Sequence, residues 1–555
     1  MNERLQRVEG LLAELYGARR GADLLPEVKD LLERYRGRIP APRSTGLSQR
    51  DAILITYADQ VQQPGQPPLA TLADFSRAYL KGVVSGLHIL PFYPSTSDDG
   101  FSVSDYTRVD PALGGWEHIR QLGGDFRLMF DAVFNHASAQ GEWFQAYLRN
   151  DPAYRDFFIA VDDQPDLSQV VRPRALPLLT VFTAADGPRQ IWTTFSTDQV
   201  DLNYVNPRVL LSMLDVLLFY VGKGAELIRL DAIAYLWKQI GTPCIHLPQT
   251  HAVVQLMRAV LDGVAPHVML VTETNVPHAD NISYFGDGAN EAQMVYNFPQ
   301  PPLVLHTLRS GNASALSAWA AGLKPPSPGT TFFNFLASHD GIGLNPLRGI
   351  LPPAQIEALV QAALAHGGRV SYKHNPDGSQ SPYELNINYF DALSDPAGGE
   401  EEGKQVRRFV AAHAILLALQ GVPGIYFHSL FGSRGWPEGI TKTGQNRSIN
   451  RQKLVLDELE ADLANPSGRR RMVYDWLATM LRLRAAEPAF DPQVGQEVLD
   501  AGPGLFALRR GDLTCLVNVT GRAVEIPAAL RRGVDLLGSR KPEVLEAYGI
   551  RWLKK

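Results

Sequence analysis

The chain of 555 residues has only two cysteines, Cys244 and Cys515, and has no long hydrophobic run. Two cysteines cannot form a disulfide framework, and their spacing matches no zinc motif, so we expect free thiols in a reducing compartment. The absence of a run of about 18 apolar residues argues against a transmembrane helix. The N-terminal sequence MNERLQRVEG also lacks the apolar region of a secretory signal. These features predict a cytoplasmic protein without a membrane partner.

An excess of basic residues is also missing. The chain has 53 Lys and Arg against 58 Asp and Glu, which gives a formal net charge of −5. Nucleic-acid-binding proteins usually carry a basic excess, so we expect no nucleic-acid partner. The hydrophobic fraction of 45 % is that of an ordinary globular protein, so a chain of this length can form one to three domains with large cores.

Eight short apolar runs are spread along the chain, and most of them end in polar residues. They occupy residues 52–60, 87–94, 126–136, 226–234, 268–275, 292–298, 331–340 and 421–429. Helical patterns such as residues 206–224 and 250–264 separate several of these runs. Alternating strands and helices indicate a parallel sheet, and eight such units indicate a closed barrel. We therefore predict an α/β fold, a (β/α)8 or TIM barrel, with its chemistry at the carboxyl ends of the strands.

The spacing of the runs also predicts how the chain divides. Two intervals are too long to be simple connections, and long loops often cover functional sites. Short strands with turns near the C-terminus predict a small β domain. The predicted units are an N-terminal helical extension at 1–50, a catalytic barrel at 51–136 and 206–489, an inserted domain at 137–205, a second insertion within the barrel at 341–405, and a C-terminal β domain at 490–555.

A charged pair interrupts the fourth apolar run, ELIRLDAIA. Arg229 and Asp231 are two residues apart, so on a strand both side chains point to the same side, here the barrel interior. Burying a charge is costly unless it is paired. The arginine would keep Asp231 ionised, and an ionised, partly desolvated carboxylate is a candidate nucleophile. For this pair alone, a purely structural salt bridge between strands is an equally good interpretation.

Two further carboxylates follow later strands. Glu273 ends the run VMLVTETN, and Asp340 follows His339 in LASHDGIG. Three carboxylates at one barrel opening are hard to explain by stability, because like charges repel each other. Enzymes that cleave glycosidic bonds with retention need such a set: one carboxylate attacks the anomeric carbon, and another, about 5 Å away, protonates the leaving oxygen.

Four of these segments resemble the motifs of the α-amylase superfamily, in the same order along the chain. They are DAVFNH (131–136), RLDA (229–232), TETN (272–275) and SHD (338–340), and QVDLNY (199–204) is similar to a fifth motif. The resemblance implies that Asp231 is the nucleophile, that Glu273 is the general acid and base, and that Asp340 binds ring hydroxyls and stabilises the transition state. It also implies that the donor sugar is held by Arg229, His136 and His339.

Three other stretches are similar to the sucrose phosphorylase branch of that superfamily. They are PFYPSTSDDGFSVSDYTRVD (91–110), RPRALPLLT (172–180) and NRSINR (446–451). The likeness implies that Asp98 hydrogen-bonds the glucose and that Phe101 stacks on it, although Phe101 taken alone is more simply a core aromatic. It further implies an acceptor-side role for Arg174 and a donor-side role for Arg451.

The branch implies phosphorolysis, in which inorganic phosphate is a co-substrate and no cofactor is required. The likeness is greatest to members that act on glucosylglycerate, which implies the products α-D-glucose 1-phosphate and glycerate. Sucrose and sucrose 6′-phosphate are the alternative substrates, and a catalytically inactive sugar-binding barrel is the alternative from another class. The carboxylate of glycerate calls for a cation, for which Arg174, Lys373 and His374 are candidates; Lys373 and His374 are equally well explained as solvated loop charges.

The remaining expectations concern metals and partners. The interval after His136 is not visibly rich in clustered Asp or Asn ligands, so we predict no required metal. The relatives of this branch are likewise regarded as metal-independent. The predicted partners are small molecules, a sugar and phosphate, and the predicted assembly is a monomer or a homodimer.

Overall fold

The computed structural model describes residues 2–174, 176–375, 379–538 and 543–555. Its centre is a closed barrel of eight parallel strands in which each strand pairs with its neighbours in sequence order, and β1 closes the barrel against β8. The strands are β1 Ile53–Thr56, β2 Gly86–Ile89, β3 Arg127–Ala132, β4 Ala225–Leu230, β5 Met269–Thr272, β6 Met294–Tyr296, β7 Thr331–Asn334 and β8 Val422–Tyr426. Each of the eight apolar runs supplies one strand, which confirms the predicted barrel.

The strands are apolar because the barrel buries both of their faces. In β1, all four residues of ILIT are buried. Parallel sheets covered on both sides favour such continuous apolar runs over the alternation of half-exposed strands. A charge inside one of these strands must therefore be paired, and Arg229 in β4, at 2 % exposure, is one of several such cases.

Helices surround the barrel, and several begin with proline, whose missing N–H costs nothing in the first turn. The longer ones after the strands are Pro68–Tyr79, Trp116–Asp125, Pro207–Gly222, Pro248–Val264, Gln300–Ser310, Ser314–Gly322, Glu402–Ala418 and Arg469–Ala486. The others are Asn2–Tyr16, Ala18–Tyr35, Glu142–Leu148, His278–Ile282, Pro353–Ala365, Tyr389–Leu393, Phe427–Leu430, Pro437–Thr443 and Leu456–Ala464. Within the described residues, no helix combines the length and apolar character needed to cross a membrane.

The two long intervals contain small sheets of their own. In the first, His136–Ser138 pairs with Gln199–Asp201 and Leu179–Ala184 pairs with Gly187–Trp192. In the second, a three-stranded antiparallel sheet is formed by Ile342–Gly343, Arg369–His374 and Gln380–Asn386. A short parallel pair, Val61–Gln62 with Leu454–Val455, joins the loop after β1 to a segment after β8.

The C-terminal part is built from antiparallel strands. Five of them form one sheet: Gln496–Val498, Leu505–Arg510, Leu513–Asn518, Ile550–Lys554 and Val534–Asp535. A second pair consists of Val524–Glu525 and Val544–Leu545. These strands agree with the small β region expected there, whereas the exact division of the chain into domains stays a prediction.

Candidate active site

Three carboxylates lie around one cavity at the carboxyl ends of the barrel strands. Asp231 directly follows β4, Glu273 directly follows β5, and Asp340 lies in the loop after β7. All three line the same cavity. Ala232, immediately after Asp231, has a left-handed backbone with φ of 49°, which turns the chain sharply at the strand end. The order of the barrel strands thus brings together side chains that are far apart in sequence.

One guanidinium joins most of these acids. Arg229 Nη1 donates to Asp231 Oδ1 at 2.8 Å, and Nη2 lies 3.7 Å from Glu273 Oε2. The same Nη1 also donates to Asp131, a wholly buried residue of β3. The sequence led us to expect that Arg229 serves Asp231; in the structure its single positive charge is shared among three carboxylates.

Because one positive charge is shared, it does not balance the negative charges of the three carboxylates. Burial, reinforced by neighbouring carboxylates, raises the pKa of Asp231 to about 8, and burial also raises the pKa of Glu273. The pair therefore retains a proton near neutral pH. The direct hydrogen bond from Arg229 favours the ionised form of Asp231, whereas Glu273 accepts only a 3.3 Å bond from the Ala232 N–H. These contacts favour the shared proton on Glu273 and the charge on Asp231.

Asp131 secures Arg229 from behind. His88 Nε2 lies 2.7 Å from Asp131 Oδ2, and both side chains are buried. Although burial opposes it, the charge of Arg229 and the contact with His88 lower the pKa of Asp131 below its ordinary value. The sequence motifs do not include His88. The available signal was a histidine in the interior of an otherwise apolar strand.

Asp340 belongs to a second network of cations. Its Oδ1 lies 2.6 Å from Arg447 Nη1, 3.4 Å from His339 Nε2 and 3.8 Å from Arg451 Nη2. Burial would raise the pKa of Asp340, but the neighbouring arginines, Arg447 foremost, together with the contact from His339, lower it far below the ordinary value. Asp340 is therefore ionised wherever the protein is folded near neutral pH.

The segment NRSINR contributes two arginines, and the sequence predicts a donor-side role for the second of them, Arg451. That residue does not line the described cavity, whereas Arg447 does. Arg451 lies just outside, where its Nη1 is 3.3 Å from Asp98 Oδ1 and 2.7 Å from Asp99 Oδ2 and its Nε donates to the His339 carbonyl at 3.0 Å. It thus holds residues of the cavity wall in place.

Asp98 lines the cavity on a strained turn. Asp98 and Asp99 both have positive φ, 52° and 47°. A β-carbon on Gly100 would come within 2.4 Å of the Pro91 carbonyl oxygen, so only glycine fits there. Backbone strain of this kind persists only when the surroundings enforce it, here through the ion pairs to Arg451.

Phe101 and two histidines complete this side of the cavity. The rings of Phe101 and His339 are stacked, with centroids 4.7 Å apart and planes within 5°. His136 Nε2 lies 2.9 Å from the Phe101 carbonyl oxygen and 3.2 Å from Gln199 Nε2. Burial lowers the pKa of both imidazoles, which favours their neutral form.

A buried lysine, which the sequence analysis did not select, supports the strand that begins at His136. Lys238 Nζ lies 2.5 Å from Asp201 Oδ2 and 2.7 Å from Asn135 Oδ1. It thereby ties the loop after Asp231 to the paired strands His136–Ser138 and Gln199–Asp201. Across the described parts of the chain, no group of three or more His, Cys, Asp and Glu side chains is arranged to hold a metal ion. The absence of a required metal stays a prediction.

Of the three predicted acceptor-side cations, only Arg174 lines the cavity. It lies close enough to Tyr235 and Tyr383 to lower their pKa values against the larger, opposite effect of burial. Among the described residues, no carboxylate forms an ion pair with Arg174. Lys373 and His374 lie outside the lining, and burial together with Arg348 lowers the pKa of Lys373 to about 8.

Comparisons with known proteins agree with the resemblance to the α-amylase superfamily. Residues 77–324 match the family model of the α-amylase catalytic domain. The chain is 53 % identical to the glucosylglycerate phosphorylase of Allomeiothermus silvanus, covering 98 % of this chain and 97 % of the relative. This chain belongs to the sucrose phosphorylase-like branch of the α-amylase superfamily. Its resemblance to that family is thereby confirmed.

A second relative and a similar solved structure are also phosphorylases. Glucosylglycerate phosphorylase of Escherichia coli is 46 % identical over 99 % of this chain and 100 % of its own length. Among solved structures, sucrose 6F-phosphate phosphorylase from Thermoanaerobacter thermosaccharolyticum has a TM-score of 0.74 and 24 % identity, covering 86 % of this chain and 95 % of that one. At that identity the structural likeness supports the barrel fold alone.

We predict that Arg229→Gln destabilises this member of the family by about 3–5 kcal/mol at neutral pH, because it leaves buried carboxylates without their cation. In the wild type, Asp131 has a lowered pKa and contributes stability above that pKa. In the variant its pKa rises, so protonation relieves the penalty as the pH falls. Thermal unfolding should therefore show a gap between variant and wild type that is wide at pH 7.5 and narrower at pH 4.5.

The matched control is Arg34→Gln, which breaks the exposed 2.9 Å ion pair with Asp215. Exposed pairs contribute about 0–1 kcal/mol, so its unfolding midpoint should stay near that of the wild type at both pH values. A gap for Arg229→Gln that is equally wide at pH 7.5 and pH 4.5 would contradict the prediction.

Proposed function

We propose that the chain catalyses retaining phosphorolysis of glucosylglycerate, giving α-D-glucose 1-phosphate and glycerate. The observation that carries the proposal is the pair of acids, Asp231 and Glu273, on one guanidinium inside the shared cavity. Two carboxylates gathered on one arginine fit the short separation of retaining enzymes. The substrate is supported by relatives at 46–53 % identity over nearly the whole chain that are glucosylglycerate phosphorylases.

In the first step, a carboxylate oxygen of Asp231 attacks the anomeric carbon and forms a covalent glucosyl-enzyme. The bond from that carbon to the glycerate oxygen breaks, and its electron pair leaves with the oxygen, which takes the proton from Glu273. This step needs Asp231 charged and Glu273 protonated, which is the distribution favoured by their unequal contacts with Arg229.

In the second step, a phosphate oxygen attacks the anomeric carbon from the face that glycerate has left. The bond to Asp231 breaks and restores its carboxylate, while Glu273 takes up a proton from the phosphate. Two inversions at the same carbon leave the configuration retained. The raised pKa of Glu273 suits a group that must give a proton and then accept one near neutral pH.

The donor subsite is formed by the residues around Asp340. The ionised Asp340 can bind ring hydroxyls and stabilise positive charge that develops on the sugar. Asp98, His136 and His339 offer further hydrogen-bonding groups in the same cavity, and Phe101 supplies an apolar surface for the sugar. Arg451 acts from outside the cavity by holding Asp98.

The acceptor subsite lies around Arg174. A guanidinium without an ion-pair partner among the described residues suits the glycerate carboxylate and then the phosphate dianion. Tyr235, Tyr383 and Phe195 line the same cavity, and aromatic side chains there limit water, which would otherwise hydrolyse the glucosyl-enzyme. Phosphate is a co-substrate in this scheme, no cofactor takes part, and the setting is the cytoplasm.

We predict that Asp231→Asn lowers glucose 1-phosphate formation roughly 10⁴-fold or more, because the amide cannot form the covalent intermediate. The measurement is the initial rate with glucosylglycerate and phosphate, compared with Asp74→Asn, which changes an exposed aspartate on the barrel surface. An Asp231→Asn enzyme that keeps a tenth of the wild-type rate would disprove the assignment of the nucleophile.

A donor panel tests the substrate. Purified protein is incubated with phosphate and, separately, with glucosylglycerate, sucrose, sucrose 6′-phosphate and glucosylglycerol, and glucose 1-phosphate is measured. We expect glucosylglycerate to give the highest kcat/KM. Sucrose 6′-phosphate giving the highest value would replace the acceptor in the proposal. Release of no glucose 1-phosphate from any of them would support an inactive sugar-binding barrel.

Arg174→Ala should raise the KM for phosphate, and for glycerate in the reverse direction, about 10- to 100-fold, because a charge-assisted contact is lost. Binding of the glucosyl unit, measured as the inhibition constant of glucose, should change far less. Arg172→Ala is the matched control, because Arg172 lies in the same loop but outside the cavity lining. Equal losses in phosphate and glucose binding would remove Arg174 from the acceptor subsite.

A further inference from the structure

A buried glutamate of the second insertion reaches into the network around Asp340. Glu384 lies on the strand Gln380–Asn386 and is 1 % exposed. Its two oxygens bind Arg447 in a fork: Nε donates to Oε1 at 3.0 Å and Nη2 donates to Oε2 at 2.7 Å. Oε1 also accepts from the backbone N–H of Gly341 at 2.6 Å. One side chain thus fixes both Arg447 and the residue that follows Asp340.

The free arm of Arg447 points to the catalytic side. Its Nη1 lies 2.6 Å from Asp340 Oδ1, the shortest of the three ion pairs of that carboxylate. In all three pairs the contacting oxygen is Oδ1. Those pairs leave Oδ2 as the oxygen that can accept a hydrogen bond from a sugar hydroxyl. The position of Arg447 therefore decides which oxygen of Asp340 faces the sugar.

The strands Arg369–His374 and Gln380–Asn386 pair antiparallel and form the hairpin of the second insertion. Close packing holds this hairpin against the loop that contains Asp340. A β-carbon on Gly341 would come within 2.5 Å of the Leu385 carbonyl oxygen and 2.6 Å of the Glu384 Cγ. Real β-carbons do not approach other heavy atoms so closely, so the segment after Asp340 and the strand of Glu384 can meet only through a glycine. The spacing between Glu384, Arg447 and Asp340 is therefore set by the backbone.

We propose that Glu384 and Arg447 are positioning residues for Asp340, through which the inserted hairpin orients that carboxylate for the sugar. The inference deepens the proposed function and rests on it. Arg447 is not a second anion-binding cation, because Nε, Nη1 and Nη2 are all engaged by carboxylates. No carboxylate of the described residues engages Arg174 in this way. The hairpin is thus part of the reaction machinery and does more than cover the cavity.

The ionisation of Asp340 depends on all the charged and titratable groups that face it. The cations are Arg447, Arg451 and Arg229, with His339 beside them. Across the cavity lie the acids Asp231 and Glu273, and the phenols of Tyr296 and Tyr426 are also in range. An adjacent arginine lowers a carboxyl pKa by about 1 to 3 units. Without Arg447, burial and the two acids raise the pKa of Asp340, because fewer cations favour its ionised form.

The test uses α-glucosyl fluoride as the donor and phosphate as the acceptor of the glucosyl group, and compares wild type, Arg447→Gln, Arg447→Lys, Glu384→Gln and the double variant Glu384→Gln/Arg447→Gln. We expect Arg447→Gln to lower kcat for fluoride release about 10- to 100-fold with little change in KM, because Asp340 acts mainly on the transition state. Arg447→Lys should recover part of the loss. Glu384→Gln should lose less, and the double variant no more than Arg447→Gln, because both act through one carboxylate.

The pH dependence gives a second measurement. A carboxylate with a lowered pKa keeps its charge until the pH falls through that pKa, so raising it moves the loss of charge to higher pH. The ratio of kcat for Arg447→Gln to kcat for the wild type should therefore stay nearly constant from pH 7.5 to pH 5 and decrease about two-fold between pH 5 and pH 4. A ratio that stays constant down to pH 4 would overturn the inference.

Glu400→Gln is the matched control. Glu400 makes the same forked contact with Arg408, at 2.7 and 2.8 Å, but outside the cavity lining. It should leave kcat and the pH profile unchanged. Losses for Glu384→Gln no larger than those for Glu400→Gln, or losses that multiply in the double variant, would overturn the inference.

The substrate separates this inference from the proposed function. A wild-type protein that releases fluoride but forms no glucose 1-phosphate would disprove phosphorolysis, while the Arg447 comparison would still decide the positioning role. A wild-type protein that releases no fluoride would disprove both. Circular dichroism and thermal unfolding of each variant check that the compared proteins are folded.

Discussion

The site depends on one buried positive charge. Arg229 lies on a barrel strand and is shared by Asp131, Asp231 and Glu273. Burying any of these acids alone would cost several kcal/mol. The ion pairs with the arginine offset part of this penalty, so the folded barrel can contain the cluster. Because one cation cannot neutralise three acids, a proton stays within the group at neutral pH. In the proposed reaction, the same arrangement that limits the cost of burial lets Glu273 donate a proton and Asp231 attack the sugar.

A second group of cations keeps Asp340 apart from this sharing. Arg447 and Arg451, with the imidazole of His339 beside them, hold Asp340 ionised, while burial raises the pKa values of Asp231 and Glu273. Acids with separated pKa values can take different roles within one cavity. The separation comes from side chains outside the barrel strands, since Glu384 of the hairpin fixes Arg447. The loops at the ends of the barrel strands carry the acids. A residue of the second insertion holds the arginine that lowers the pKa of Asp340.

Much of the site was readable because its signals are local. Arg229 and Asp231 stand out in an apolar run, and Glu273 and Asp340 follow two other runs, so strand periodicity and order were enough to predict that they meet. Lys238, Glu384 and Arg447 gave no such signal, because they lie in a loop, a polar strand and a short 3₁₀ helix, where charges are common. The choice of Arg451 over Arg447 shows the limit: only coordinates tell which of two arginines four residues apart lines the cavity.

The sequence by itself determined the eight-stranded barrel and the strand ends that carry the acids, because burial on both faces imposes an apolar pattern that can be read residue by residue. Tertiary structure alone decided how charge is distributed among those acids. Ion pairs such as Arg447 with Asp340 join positions more than a hundred residues apart. Their effect depends on distances of a few tenths of an ångström and on burial, which no local pattern encodes.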